Sequence, residues 1–330
     1  MRLPDKMLAA QYETSGRRRG ELELVELPVP EAGPGEVLVR VRVSGVNPTD
    51  VRARSGGAAF DAGHARVVPH HDGAGEVAAV GAGVSERRVG ERVWLYLSQF
   101  GRAQGTAAQW IALPAERAVA LPDGVSFELG AGLGIPALTA HRCLYLDGPI
   151  DDQTVLVQGG AGAVGHAAIE LARAGGARVA ATVSSPEKGR LAEAAGAQLV
   201  VNYRTGDVVD AVRSWAHGDV HHLIEVAIAA NVEADAQLIA AGRPITSYGA
   251  PDGPIVTPRA LIARNSGIRF VLVYTMGEDA IREAVSGITR ALRAAAMTEL
   301  PAVRFGLEQI EAAHDAVREH VVGKVLLDIP

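Results

Sequence analysis

The sequence of 330 residues predicts an α/β protein in which a doubly wound parallel sheet is inserted into a discontinuous, irregular β domain. Three observations carry that expectation. From about 155 to 275, short apolar runs alternate with helical patterns, as βαβ units do. Before about 128, strand-like segments are separated by Pro, Gly and polar turns. After 276 come two helical stretches and then VVGKVLLDIP, a final strand that would rejoin the first part. The domains are therefore expected at 1–128 with 276–330 and at 129–275.

Taken in order, ELELVELPVP, EVLVRVRVSGV, GAGEVAAVGAGV and ERVWLYL read as strands of an antiparallel β domain. The second part supplies six runs: VLVQ (155–158), ARVAATV (177–183), AQLVV (197–201), HHLIEVA (221–227), RPITSYG (243–249) and IRFVLVYT (268–275). Between them lie helical stretches such as AVGHAAIELARAGG and SPEKGRLAEAAG, many ended by the glycine that a helix C-cap favours. Six strands in this alternation suit the doubly wound (Rossmann) dinucleotide fold. The sixth run is long, apolar and expected at the sheet edge, where unpaired backbone groups invite a partner, so a homodimer is expected.

Composition narrows the classes. Apolar residues at 48% and charged residues at 21% are ordinary for a soluble globular chain. A formal charge of −6 leaves no basic excess to neutralise phosphates, which argues against nucleic acid as a partner. Cys143 is the sole cysteine, so an intrachain disulfide and a cysteine-clustered zinc are both excluded; its apolar context marks a buried small hydrophobe. The first residues carry no apolar signal segment and no run of 18 apolar residues occurs, so neither export nor a membrane is expected and the chain is read as cytoplasmic.

The chemistry begins at VLVQGGAGAVG, where Gly160, Gly162 and Gly165 have the G-x-G-x-x-G spacing. Gly160 is expected to permit the tight turn, Gly162 to let backbone approach a pyrophosphate, and Gly165 to let the helix pack closely on its strand. The phosphates would meet the positive end of that helix. About twenty residues on, an NAD enzyme needs an acid to hold the ribose 2′-hydroxyl. Positions 182–185 are Thr, Val, Ser and Ser, with Lys188 close by, so NADPH is the expected cofactor. The other reading is that Lys188 and Arg190 merely solvate a helix surface.

The blocks GVNPTD (45–50), RSGG (54–57), AVGAGVS (79–85), GERVW (90–94), LGIPALTAHR (133–142), the glycine fingerprint, IEVA..ANVE (224–233) and GKVLL (323–327) run in order nearly end to end. In this the chain resembles the zinc-less quinone oxidoreductases of the medium-chain dehydrogenase/reductase superfamily, which include zeta-crystallin. The resemblance implies a GroES-like catalytic domain around the Rossmann domain. It puts Asn47 and Thr139 at the nicotinamide end and Ala161, Gly162, Ala163 and Val164 on the pyrophosphate. Ser184, Ser185, Lys188 and Tyr203 would surround the adenosine 2′-phosphate, although Tyr203 also reads as a packing aromatic. Gly249 and Ala250 would lie on the cofactor side, Val271 and Val273 would offer backbone to the carboxamide, and Lys324 would lie near the phosphates.

Zinc-dependent relatives in the superfamily take a cysteine from a GVC-x-TD block, a histidine from a GHE-x-AG block and a later cysteine. VPHHDGAG (68–75) supplies His71, but Asn47 stands at the first cysteine position and LGIPAL has none at the second. Three protein ligands are needed, so no metal is expected and His71 is expected on a polar turn lining the cleft, a candidate catalytic residue together with Asn47 and Arg52. Hydride transfer without a Lewis acid needs an acceptor that is already electrophilic, which favours a quinone or an activated alkene. An enone or enoyl reductase and a non-enzymatic NADPH-binding protein are the alternatives. Where the family usually carries a tyrosine, NPTDVRARSG has Arg52. Arg52 either meets negative charge developing on the acceptor oxygen or turns outward and pairs with an acid.

Overall fold

The computed structural model describes residues 3–17, 19–57, 63–249, 251, 253–255 and 258–330. They form two compact units, Met1–Ile135 with Pro301–Pro330, and Pro136–Leu300.

In the first unit the strand Glu36–Gly45 is the spine. Its sequence EVLVRVRVSG is β-branched and almost wholly buried, as a central strand requires. It pairs antiparallel with Asp72–Val80, Trp110–Pro114 and the C-terminal strand Lys324–Asp328. Arg92–Leu95 and Ala118–Ala120 extend the sheet on one side and Ala302–Gly306 on the other. Register shifts between Leu38 and Val39 and between Val41 and Val43 bend the spine, as bulges do. Val37, Val39, Leu95, Ile111, Leu113 and Leu327 fill the core behind it. Pairing of Leu326 with Gly45 brings Lys324 back beside Val46 and Asn47 from the far end of the chain.

The second unit is a six-stranded parallel sheet. In space its strands run Leu199–Asn202, Arg178–Val183, Thr154–Val157, His222–Glu225, Ile245–Ser247 and Ile268–Phe270. Counted along the chain this is the order 3-2-1-4-5-6 of the doubly wound fold, with a switch point beside Thr154–Val157.

Two expectations need correction. The sixth strand is three residues long rather than eight: after Val271 N donates to Ser247 O, the chain turns through Val273–Thr275 and buries Val273 and Tyr274. The two units also divide at 135/136 and 300/301, not at 128/129 and 275/276. The helix Glu278–Arg293 belongs with the second unit because Gly287 packs against His141, where a Cβ would stand 2.3 Å from the ring Nε2. Thr298 N then donates to Glu170 Oε1 at 2.9 Å, tying the segment after that helix to the same unit. Among the described residues no helix is long and apolar enough to cross a membrane.

Candidate active site

The glycine turn of the second unit joins the strand Thr154–Val157 to the helix Ala163–Ala174. Gly159, one residue before the expected one, takes the left-handed conformation, with φ +73°. Gly160 is needed for packing instead, since a Cβ there would meet the Ala181 Cβ at 2.7 Å. Gly165 lets the helix close on the turn, where a Cβ would lie 2.3 Å from Gly159 O. Above Gly162 the nearest atom to a Cβ is 3.5 Å away, and Gly162 starts the helix with no side-chain cap. The first N–H of the helix with an intrahelical acceptor is that of His166, which donates to Gly162 O at 2.8 Å. The N–H groups of Ala163, Val164 and Gly165 are therefore left at the positive end of the helix, in an arrangement that accepts an anion.

Ser184, Ser185 and Lys188 follow the end of the neighbouring strand Arg178–Val183, and Tyr203 follows the end of the strand Leu199–Asn202 paired to it. Ser185 Oγ caps the helix Pro186–Ala194 by accepting from Lys188 N at 3.3 Å. Tyr203 N donates to Val183 O, and the Tyr203 ring is 53% exposed, which is against a core-packing role. No carboxylate stands among Thr182, Val183, Ser184 and Ser185. Thr139 is buried in the helix Phe127–Tyr145. Gly249 ends the fifth strand in close contact with Val226, where a Cβ would be 2.1 Å from the Val226 carbonyl oxygen. Val271 and Val273 are buried, and the Val271 N–H is already used by Ser247 O. Ala250 lies outside the described residues.

In the first unit a buried polar set surrounds Asn47. Asn47 precedes Pro48 at the start of the helix Pro48–Arg54, and Asp50 Oδ2 accepts from Asn47 N at 2.7 Å, half of a capping box. Asn47 Nδ2 donates to Asp72 Oδ2 at 2.7 Å, while Lys324 Nζ donates to Asn47 Oδ1 at 2.8 Å and to Val46 O at 3.1 Å. Asp72 Oδ1 accepts from Ile135 N at 2.8 Å. Lys324 Nζ stands 4.0 Å from Asp72 Oδ2. The Lys324 ammonium, which the resemblance puts near the phosphates, is buried and bonded to Asn47 and Val46.

Burial and the charge of Asp72 push the Asp50 carboxyl up to about 8. Burial raises Asp72 to about 6 against the pull of Lys324, Asn47 and the Ile135 N–H. Burial, more than Arg117, holds His71 down at about 3, and burial also lowers Lys324. Burial thus favours the uncharged forms of Asp50 and His71. Asp50 Oδ1 lies 4.0 Å from His71 Nε2 and has no hydrogen-bond partner among the described residues. Arg52, on the outer face of the same helix, is exposed and makes no ion pair among the described residues, which leaves its guanidinium open to solvent.

Three members of this region had no role in the reading of the sequence. Asp50 and Asp72 were visible in TDVR and HHDG, but the partners of Asp72, Ile135 and Lys324, lie far along the chain. His70, with φ +81°, binds Ser44 Oγ through Nδ1 and His314 Nε2 through Nε2, each at 2.9 Å. Among the described residues no group of three His, Cys, Asp or Glu side chains converges to hold a metal ion. The Cys143 thiol is pushed up to about 12 by burial and is no nucleophile.

Known proteins supply an independent comparison. Residues 33–123 match the alcohol dehydrogenase GroES-like domain and residues 163–290 match the zinc-binding dehydrogenase domain. A quinone oxidoreductase of Pseudomonas aeruginosa is 31% identical over 78% of each chain, and the human quinone oxidoreductase is 27% identical over 92% of this chain and 91% of its own. The quinone oxidoreductase of Thermus thermophilus, solved also as its complex with NADPH, is 30% identical with a TM-score of 0.81, covering 98% of this chain and 100% of its own. A mycobacterial protein complexed with NADPH is 29% identical, with a TM-score of 0.83 and the same coverage.

Proposed function

The chain belongs to the quinone oxidoreductase family of the medium-chain dehydrogenase/reductase superfamily and is an oxidoreductase, and from that premise we propose that it reduces quinones with NADPH and without zinc. The observation that carries the proposal is the pair of features at the ends of adjacent strands: an uncapped helix start at Gly162 and an acid-free strand end followed by Ser184, Ser185 and Lys188. The residues fit the cofactor. The N–H groups of Ala163, Val164 and Gly165 suit its pyrophosphate, and the Lys188 ammonium and Ser184 hydroxyl suit a 2′-phosphate that a carboxylate would repel. Two solved relatives that carry NADPH agree with this reading.

Bound NADPH supplies a hydride. What this chain supplies is orientation and charge. Asn47, locked from both sides by Asp72 and Lys324, presents a rigid edge of the first unit. The donor set does not fit zinc: an amide stands at Asn47, the Lys324 ammonium occupies its far side, and no cysteine other than Cys143 exists. A quinone needs no Lewis acid to accept a hydride, whereas an aliphatic ketone does. The exposed Arg52 is the cation available to the negative charge that appears on the acceptor oxygen.

The protein is proposed to work as a cytoplasmic homodimer, with Phe270 and Leu272 exposed along the outer edge of the parallel sheet. The cofactor assignment is tested by dinucleotide titration. NADPH should bind more tightly than NADH, and Lys188→Ala should weaken NADPH by about tenfold, the worth of one charge-assisted contact, while leaving NADH nearly unchanged. An unchanged ratio of the two affinities in Lys188→Ala would remove Lys188 from the site.

A further inference from the structure

Beneath the glycine turn lies a second buried polar chain that the hydride reaction does not require. It crosses the C-terminal ends of three adjacent strands. Gly159 N donates to Thr182 Oγ1 at 3.3 Å, and Gly160 N donates to Thr182 O at 2.9 Å. Thr182 Oγ1 donates to Gln158 Oε1 at 2.5 Å, and Gln158 Nε2 donates to Asp235 Oδ1 at 2.7 Å. Asp235 sits on the helix Ile228–Leu238 and faces the carboxylate of Glu225, which ends the strand His222–Glu225. Glu225 in turn accepts from Ala227 N and from Asn231 Nδ2, the latter at 3.2 and 3.1 Å. Thr182, Gln158, Asp235 and Glu225 are all buried.

The polarity of this chain is fixed. Each hydroxyl and amide already has its donor and acceptor assigned, so the direction of every bond follows from the glycine turn outward. At its far end two carboxyl groups meet. Glu225 Oε1 and Oε2 have N–H donors, but Asp235 Oδ2 has none among the described residues. Among the described residues the groups acting on the Asp235 carboxyl are Glu225 and Gln158, neither of them a cation, together with burial. Two ionised carboxylates in contact in a dry interior repel strongly, and a single proton shared between them turns that repulsion into a hydrogen bond. Burial first, and the neighbouring Glu225 charge second, push Asp235 well above the ordinary carboxylate range, in agreement with this geometry.

We propose that Asp235 carries a proton which it gives in a hydrogen bond to Glu225 and, through Gln158 and Thr182, acts as a positioning residue that sets the backbone of Gly159–Gly162 for the cofactor pyrophosphate. The inference rests on the dinucleotide reading above. A turn that must aim several N–H groups at one anion loses affinity when its backbone can wander, because ordering it then opposes binding. The Asp235 proton is the keystone: lost at alkaline pH, it leaves two like charges pushing the helix Ile228–Leu238 away from Gln158.

The test measures the dissociation constant of NADPH for the wild-type protein, Asp235→Asn and Gln158→Leu, each from neutral pH up to the highest pH at which the protein stays folded, with melting temperatures alongside. Asp235→Asn imitates the protonated acid: its amide oxygen accepts from Gln158 and its NH₂ donates to Glu225. Wild-type affinity should fall several-fold across this range, more steeply than that of Asp235→Asn, which keeps its neutral-pH affinity; Lys188 contributes equally to both proteins. Gln158→Leu should weaken NADPH by about tenfold at neutral pH. If Gln158→Leu does not fold, the comparison between wild type and Asp235→Asn decides alone. Parallel pH curves for those two would overturn the inference and leave the cofactor reading intact. A wild-type protein that binds no dinucleotide at any pH would overturn both.

Discussion

Two cations near Asn47 are put to opposite uses. Lys324 is buried, bonded to Asn47 Oδ1 and paired with Asp72, so its charge is spent inside the protein. Arg52 is exposed and carries its charge outward. Hydride arrival makes the acceptor oxygen anionic, and a cation within reach lowers that barrier more than it strengthens ground-state binding. Arg52→Ala should therefore reduce kcat on quinones by about tenfold, less than the hundredfold or more of a dry oxyanion site, since water screens an exposed guanidinium. The NADPH dissociation constant should stay unchanged. Full turnover in Arg52→Ala would return Arg52 to the surface. Arg52 could be found in the sequence because it departs from a local block, NPTDVRARSG. The role of Lys324 could not: its partner Asn47 lies 277 residues away, and nothing in GKVLL announces a bond to the other end of the chain.

At the scale of elements, legibility follows the range of the interaction. The glycine turn was readable because its demands are local and steric, and only the identity of the left-handed residue, Gly159 in place of Gly160, shifted. The length of the sixth strand was not readable, because VLVYT is as apolar in a buried turn as in a strand. VPHHDGAG drew attention to His71, whereas the long-range partner belongs to His70, stacked on His314 of the helix Ile310–Arg318. That contact has a measurable consequence. Burial first, then the charges of Arg54 and Arg318, hold His314 at about 3; burial, His314, His71 and Lys324 hold His70 well below the ordinary range. An unfolded histidine titrates near 6.5, so below that pH the unfolded chain takes up protons that the folded chain refuses. The contribution of these two histidines to stability should be full above about pH 6.5 and fall as the pH drops toward 3, by up to about 1.4 kcal/mol per pH unit for each histidine. Urea midpoints at several pH values check this. His314→Gln, which keeps a donor for His70, should give a shallower decline between about pH 6 and about pH 4, and a slope equal to wild type would mean that His314 is not held neutral.

For the molecule as a whole, the inserted arrangement was legible because strand and helix periods alternate only in the middle of the chain and VVGKVLLDIP returns as a strand at its end. Self-association was inferred from an edge strand that is shorter than expected, so it now rests on the exposed Phe270 and Leu272. Light scattering at micromolar concentration should give the mass of a dimer, and Phe270→Glu should shift it toward the monomer, since a charge at an apolar contact opposes its burial. A monomeric wild type would remove the dimer from the account. The central claim is hydride transfer from NADPH to a quinone without a metal. Its most direct measurement is the rate of NADPH oxidation by the purified protein with a para-quinone, before and after exhaustive chelation, with metal content read on the same samples. Turnover that depends on both NADPH and quinone and survives chelation is the expected result. Activity lost together with stoichiometric zinc and restored by adding zinc back would contradict it.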